Sequence, residues 1–139
     1  MGDNAINAKV QRTTIEPILS VQNGKQAVEF YMQAFGAETI YRLEDESGAV
    51  VARLRVGKAI FWVADESPEH ANFSPESLGG GSVRMLLIVE EPDSVFERAV
   101  AAGADVVWPI GSEHGWRVGR IVDPYGHYWE IGKPLAEEV

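Results

Sequence analysis

Cysteine is absent from the 139 residues. Disulfides, zinc–thiolate centres and cysteine nucleophiles are thereby excluded. Long apolar runs are absent as well: no stretch approaches the roughly 20 residues that span a bilayer. Met1–Thr13 is polar and lacks the apolar run of a signal peptide. We expect a cytoplasmic protein with no membrane partner and a flexible lead-in over residues 1–13. Basic residues are scarce, 12 Lys and Arg against 21 Asp and Glu, for a net charge of −9. Phosphate backbones are bound by clustered Lys and Arg, so nucleic acid is not an expected partner. A phosphate-binding glycine loop is missing too. Gly79-Gly80-Gly81 precedes a strand rather than opening a helix. No serine sits in a strand-to-helix nucleophile turn.

What is present is a chain that is 45% hydrophobic, enough for one domain with a real core. Residues 14–21 read as a strand, with Pro17 pointing to an edge or a bulge. In 24–35 the apolar residues Ala27, Val28, Tyr31, Ala34 and Phe35 recur at helical spacing, and Gly36 stands where a C-terminal cap belongs. Strands follow at 37–43, 49–56 and 59–64, the last two joined at Gly57-Lys58. Residues 65–81 have no period and read as a linker, with one helical turn near Pro75. The pattern then restarts. A strand is expected at 82–89, a helix from Pro92 to about Ala102, a cap at Gly103, and strands at 104–108, 116–122 and 127–132.

The two stretches superimpose. Val21 meets Val89, Gly36 meets Gly103, Gly57 meets Gly126, and between them Ile18 meets Leu86 and Ala34 meets Ala101. A repeat of this length means paired modules rather than a solenoid.

The segments AVEFYMQAFGAE (27–38), SPESLGG (74–80), FERAVAAGADV (96–106), GWRVG (115–119) and DPYGHYWEI (123–131) carry a resemblance. In that order they resemble the vicinal oxygen chelate superfamily, the glyoxalase and bleomycin-resistance type, and within it the PhnB-like branch. The resemblance implies an α+β fold of two tandem βαβββ modules, 14–64 and 82–134, followed by a short tail at 135–139. The modules would form a curved mixed sheet around a cleft, with the helices packed outside. It also implies a homodimer whose cleft holds a metal or a small organic ligand.

Strand alternation assigns faces independently. Glu16, Ile18 and Ser20 share one face, as do Ser82, Arg84, Leu86 and Ile88. In 59–64 Phe61 falls between Ile60 and Trp62, and in 127–132 Glu130 falls between Trp129 and Ile131. The repeat then sets Glu16 against Arg84 and Phe61 against Glu130. Trp62 and Trp129 are expected in the core, whereas Tyr128 shares the Glu130 face and Trp116 opens its strand at the rim. His127 has two open readings, a proton shuttle or a hydrogen bond to the adjacent turn. His70 and His114 form no cluster with it.

In metal-dependent relatives, the resemblance implies, the four positions Glu16, Phe61, Arg84 and Glu130 hold His or Glu ligands. Here Phe61 donates nothing and Arg84 brings a fixed positive charge. No cofactor is expected; a divalent metal would have only Glu16 and Glu130. What remains is a Glu16–Arg84–Glu130 triad, read either as structural pairing or as a polar anchor for a ligand. If the pairing forms, Arg84→Ala should cost roughly 3 kcal/mol by stranding two carboxylates. Aromatic walls with acidic groups suit a flat or cationic organic ligand. The expected function is a metal-free small-molecule-binding protein that sequesters an antibiotic or metabolite, with Glu16, Phe61, Arg84, Trp116, Tyr128 and Glu130 around the ligand. The alternatives are a metal-dependent lyase, isomerase or dioxygenase, or a dimer whose cleft has lost its ligand.

Overall fold

The structure, a computed structural model, describes residues 13–136. Residues 1–12 and 137–139, which include most of the expected lead-in and tail, lie outside the described residues. The first half runs β1 (Ile18–Val21), α1 (Gly24–Phe35), β2 (Glu38–Glu44), β3 (Val50–Val56) and β4 (Ala59–Asp65). A 3₁₀ turn at Pro68–His70 and the one-turn helix α2 (Pro75–Leu78) follow. The second half runs β5 (Arg84–Ile88), α3 (Pro92–Ala101), β6 (Asp105–Glu113), β7 (Trp116–Val122) and β8 (Tyr128–Pro134). Each half makes one four-stranded mixed sheet, in the orders β1-β4-β3-β2 and β5-β8-β7-β6. The first strand of each half pairs in parallel with the last, and the other pairings are antiparallel. The α+β architecture of two βαβββ units is the one expected, and neither sheet closes into a barrel.

Local chemistry sets the element ends. Asn23 caps α1 by accepting the Gln26 N–H at 3.1 Å, and Gly36 ends the helix in the left-handed region at φ 68°. Asp65, at the end of β4, accepts the N–H groups of Gly24 and Val50, both at 3.0 Å, and so ties the helix start to the sheet. The sequence suggests a strand ending at residue 108, yet β6 continues to Glu113. Pro109 cannot donate a ladder hydrogen bond, but β6 is an edge strand, and register shifts on either side of Trp108 absorb the proline as a bulge.

The two sheets turn their helix-bearing faces toward one another. Tyr31, Phe35, Phe61 and Trp129 interlock there, with the Phe61 and Trp129 rings 5.4 Å apart. Asp123 is the polar centre of this core at 3% exposure. Its carboxylate accepts from the Tyr31 hydroxyl, the Trp129 indole (2.9 Å) and the backbone N–H groups of Tyr125 (2.9 Å) and His127 (3.0 Å). Four donors replace the water lost on burial. Because Tyr31 comes from the first half and Asp123 from the second, the network joins the halves. The His127 ring adds a second link, 2.9 Å from the Ser20 carbonyl oxygen. Of the two readings of His127, the structure thus supports hydrogen bonding: its backbone N–H serves the turn, and its ring reaches across to β1.

One expected pairing between the halves is corrected. Ile18 registers with Trp62 and Leu86 with Glu130, so Trp62, not Phe61, is the counterpart of Glu130. Phe61 matches Trp129, and both rings are buried in the core. The slip arises in the turn before each last strand, where Gly57-Lys58 stands against the longer Pro124-Tyr125-Gly126. Aligning the two glycines displaces the strand by one position, and in a strand that moves every side chain to the other face. Phe61 is therefore not a cleft residue, and Trp62 is not a core residue.

Candidate functional site

With one face of each sheet committed to the core, the other faces are open. Across each runs a row of side chains fixed by strand register. In the first half the row is Tyr41, Arg53, Trp62 and Ile18. In the second it is Trp108, Arg120, Glu130 and Leu86. Aromatic, arginine and aliphatic positions correspond, and the halves diverge at Trp62 against Glu130.

In the first half the arginine is held by a carboxylate and an indole. Arg53 grips Glu16 with two charge-assisted hydrogen bonds, Nε to Oε1 at 3.1 Å and Nη2 to Oε2 at 2.7 Å. The Trp62 indole donates to the same Glu16 Oε1 at 2.8 Å, and its ring lies 5.7 Å from the Arg53 guanidinium carbon. Tyr41 packs edge-on against Trp62 at 5.9 Å. The Arg53 guanidinium, and then the indole, hold the Glu16 carboxyl below the usual carboxylate range.

In the second half the charges sit differently. Arg120 donates to Glu130 Oε2 from Nε (3.2 Å) and Nη2 (2.8 Å), and Arg84 approaches the same oxygen through Nε at 3.3 Å. Two guanidiniums share one carboxylate oxygen. Arg84 is 59% exposed, and its terminal nitrogens have no partner among the described residues. Beside this cluster lies a cavity of about 480 Å³, lined by Trp108, Pro109, Gly111, Glu113, Val118, Gly119, Arg120 and Glu130.

The Glu16–Arg84–Glu130 triad does not form. Arg84 pairs with Glu130, and Glu16 pairs with Arg53 on the other sheet. Tyr128 lies on the Glu130 face, opposite Arg84 in the ladder. Trp116 stands half-buried at the hairpin end, opposite Pro134 and outside the cavity lining. Arg53, Tyr41, Trp108 and Glu113 were not expected from the sequence. Arg117 turns to Asp93 of α3 at 2.6 Å, and Arg120 turns to the open face. One signal was available, since the repeat places Tyr41 with Trp108 and Arg53 with Arg120, but the bulges of β2 and β6 conceal it.

The donor set does not suit a divalent cation. Among the described residues no three His, Asp or Glu side chains come together. The oxygens of Glu16 and Glu130 that face their neighbours already accept from guanidinium or indole groups, which a cation would have to displace.

The glyoxalase/bleomycin resistance protein/dioxygenase superfamily profile matches residues 10–131. An uncharacterized protein of Mycobacterium bovis is 34% identical over 128 residues, spanning 88% of this chain and 84% of the relative. Among solved structures, TioX from Micromonospora sp. ML1 is 28% identical, with a TM-score of 0.67 over 89% of this chain and 100% of that one. The fosfomycin resistance protein FosX from Listeria monocytogenes shares the fold at 18% identity, with a TM-score of 0.69 over 91% of this chain and 96% of that one.

Proposed function

Since the chain belongs to the glyoxalase/bleomycin resistance protein/dioxygenase superfamily, we propose that it is a small-molecule-binding protein that works without a bound metal. In this reading it is a member of the PhnB-like branch and sequesters an antibiotic or metabolite. One observation carries the reading: the carboxylates facing each open sheet are neutralised by arginines, Glu16 by Arg53 and Glu130 by Arg84 and Arg120. A carboxylate bound in this way is a poor cation ligand and a good fixed point for ordering a guanidinium toward a guest.

The working form in this proposal is a homodimer. The open faces expose large apolar side chains, among them Ile18 (66%), Leu86 (51%) and Trp108 (60%). Apolar clusters of this kind are characteristic of surfaces that another molecule covers. A second copy laid over the open faces would convert each into an enclosed cleft.

The test is metal content after purification without chelators, paired with a melting curve in EDTA. The reading predicts well below one metal per chain and an unchanged melting temperature. Stoichiometric Mn, Fe, Ni or Zn that protects against melting would contradict it and favour metal-dependent chemistry.

A further inference from the structure

The halves share a row of aromatic, arginine and aliphatic positions, and over the row of the second half lies a cavity. In the first half, the Trp62 ring and the Glu16 carboxylate occupy the space around Arg53. In the second half, Glu130 stands where Trp62 does, and the space beside Arg120 is open. The floor of that space is flat. Gly111 of β6 registers with Val118 of β7, and a Cβ built on Gly111 meets nothing within 4 Å. Trp108 forms the wall, its side chain largely exposed. A flat floor with an indole wall fits a planar ring system, which gains both burial and stacking there.

Charge gives the guest a sign and a direction. At the Arg120 end two guanidiniums share a single carboxylate oxygen, so one positive charge is left over and the Arg84 donors are free to reach a guest. At the other end stands Glu113, whose ladder partner Trp116 is four residues from Arg120, and it is unpaired among the described residues. An anionic group is drawn to the arginines and kept away from Glu113. A cationic group would have to turn the other way, toward Glu113, because Glu130 Oε2 already accepts from both arginines. The proposed guest keeps the flat shape expected from the sequence and carries the opposite charge.

Building on the proposed small-molecule-binding function, we propose that the cavity over β6–β8 takes a planar aromatic ligand bearing one carboxylate. Its ring lies on Gly111 and Val118 against Trp108, and its carboxylate reaches past Glu130 to Arg84 of β5, which lies outside the cavity lining.

The experiment titrates the intact protein with three probes of one shape: 2-naphthoate, 2-naphthylmethanol and 2-naphthylmethylammonium. Binding is read from the indole N–H resonances of the four tryptophans, with Trp108 assigned through Trp108→Phe. The proposal expects 2-naphthoate to shift the Trp108 signal saturably and to bind about tenfold more tightly than the alcohol, the scale of one charge-assisted hydrogen bond. The ammonium probe should bind more weakly still. Arg84→Ala should remove the advantage of the carboxylate and leave the alcohol unchanged. Gly111→Leu, which extends into open space, should block all three while the melting temperature stays near that of the parent. If the ammonium or alcohol probe binds as tightly as the carboxylate, the ligand class is overturned and the small-molecule reading stands. If no probe moves Trp108, or Gly111→Leu leaves binding intact, the site itself is overturned, and metal content tests the broader reading independently.

Discussion

Glu16 and Asp123 are both carboxylates held by several donors, and burial separates what they do. Asp123 is enclosed, so removing it leaves the Tyr31 hydroxyl and the Trp129 indole without their acceptor in an apolar core. We expect Asp123→Ala to cost roughly 3 kcal/mol in chemical denaturation, by the scale for broken buried polar networks. Burial, reinforced by the nearby Asp123 charge, pushes the Tyr31 hydroxyl well above its ordinary value of 10.0. A raised acid favours the folded state only while protonated, so this contribution is intact below about pH 10 and lost as pH climbs further. Tyr31→Phe should lack that alkaline loss. Glu16 has the opposite sign. Its folded value lies below the ordinary 4.5 because Arg53 and Trp62 bind the charged form. Its contribution is present above that ordinary value and disappears as pH falls through the lower folded one. Arg53→Ala should therefore lower stability at neutral pH and flatten the acid limb of the stability curve by the same amount, read by circular dichroism. Arg84 is the contrasting case. The sequence pattern suggested a costly triad, but the side chain is mostly exposed and Glu130 keeps Arg120. Arg84→Ala should cost no more than about 1 kcal/mol, the range for surface pairs.

Among the elements, α3 depends on a glycine in the sheet beneath it. A Cβ on Gly119 would lie 2.6 Å from the Phe96 ring and 2.9 Å from the Ile110 Cα. Gly119→Ala must push the helix off the sheet or distort β6, and we expect a loss of about 2 kcal/mol, within the range for overpacking. A urea midpoint equal to that of the parent would show that the packing relaxes freely. The elements were largely legible in the sequence because helix periodicity and the Gly36 cap are local signals. Strand faces were legible only where no insertion intervened. Glu16, Arg84, Glu130 and Tyr128 fell on the expected open faces, whereas Phe61 and Trp62 exchanged places because one turn residue shifts a strand by a whole face. The partners of Glu16 and Glu130 were not legible at all. Arg53 and Arg120 reach them across strand ladders whose register the sequence does not state.

Over the whole molecule, the halves share one core and leave two outward faces, so the symmetry that builds the scaffold also duplicates the open surface. The halves meet through aromatic packing and the Asp123 network. The cavity over the second row lies beside Glu130, where the first row carries Trp62. A metal-free binding protein built this way should be a dimer in solution, with its charged rows turned inward. Native mass spectrometry of protein purified without chelators tests both parts of that account at once. The account predicts a particle of twice the 15.3 kDa chain mass, with no metal adduct. A monomer with no tendency to pair, or a dimer carrying one divalent metal per chain, would contradict it.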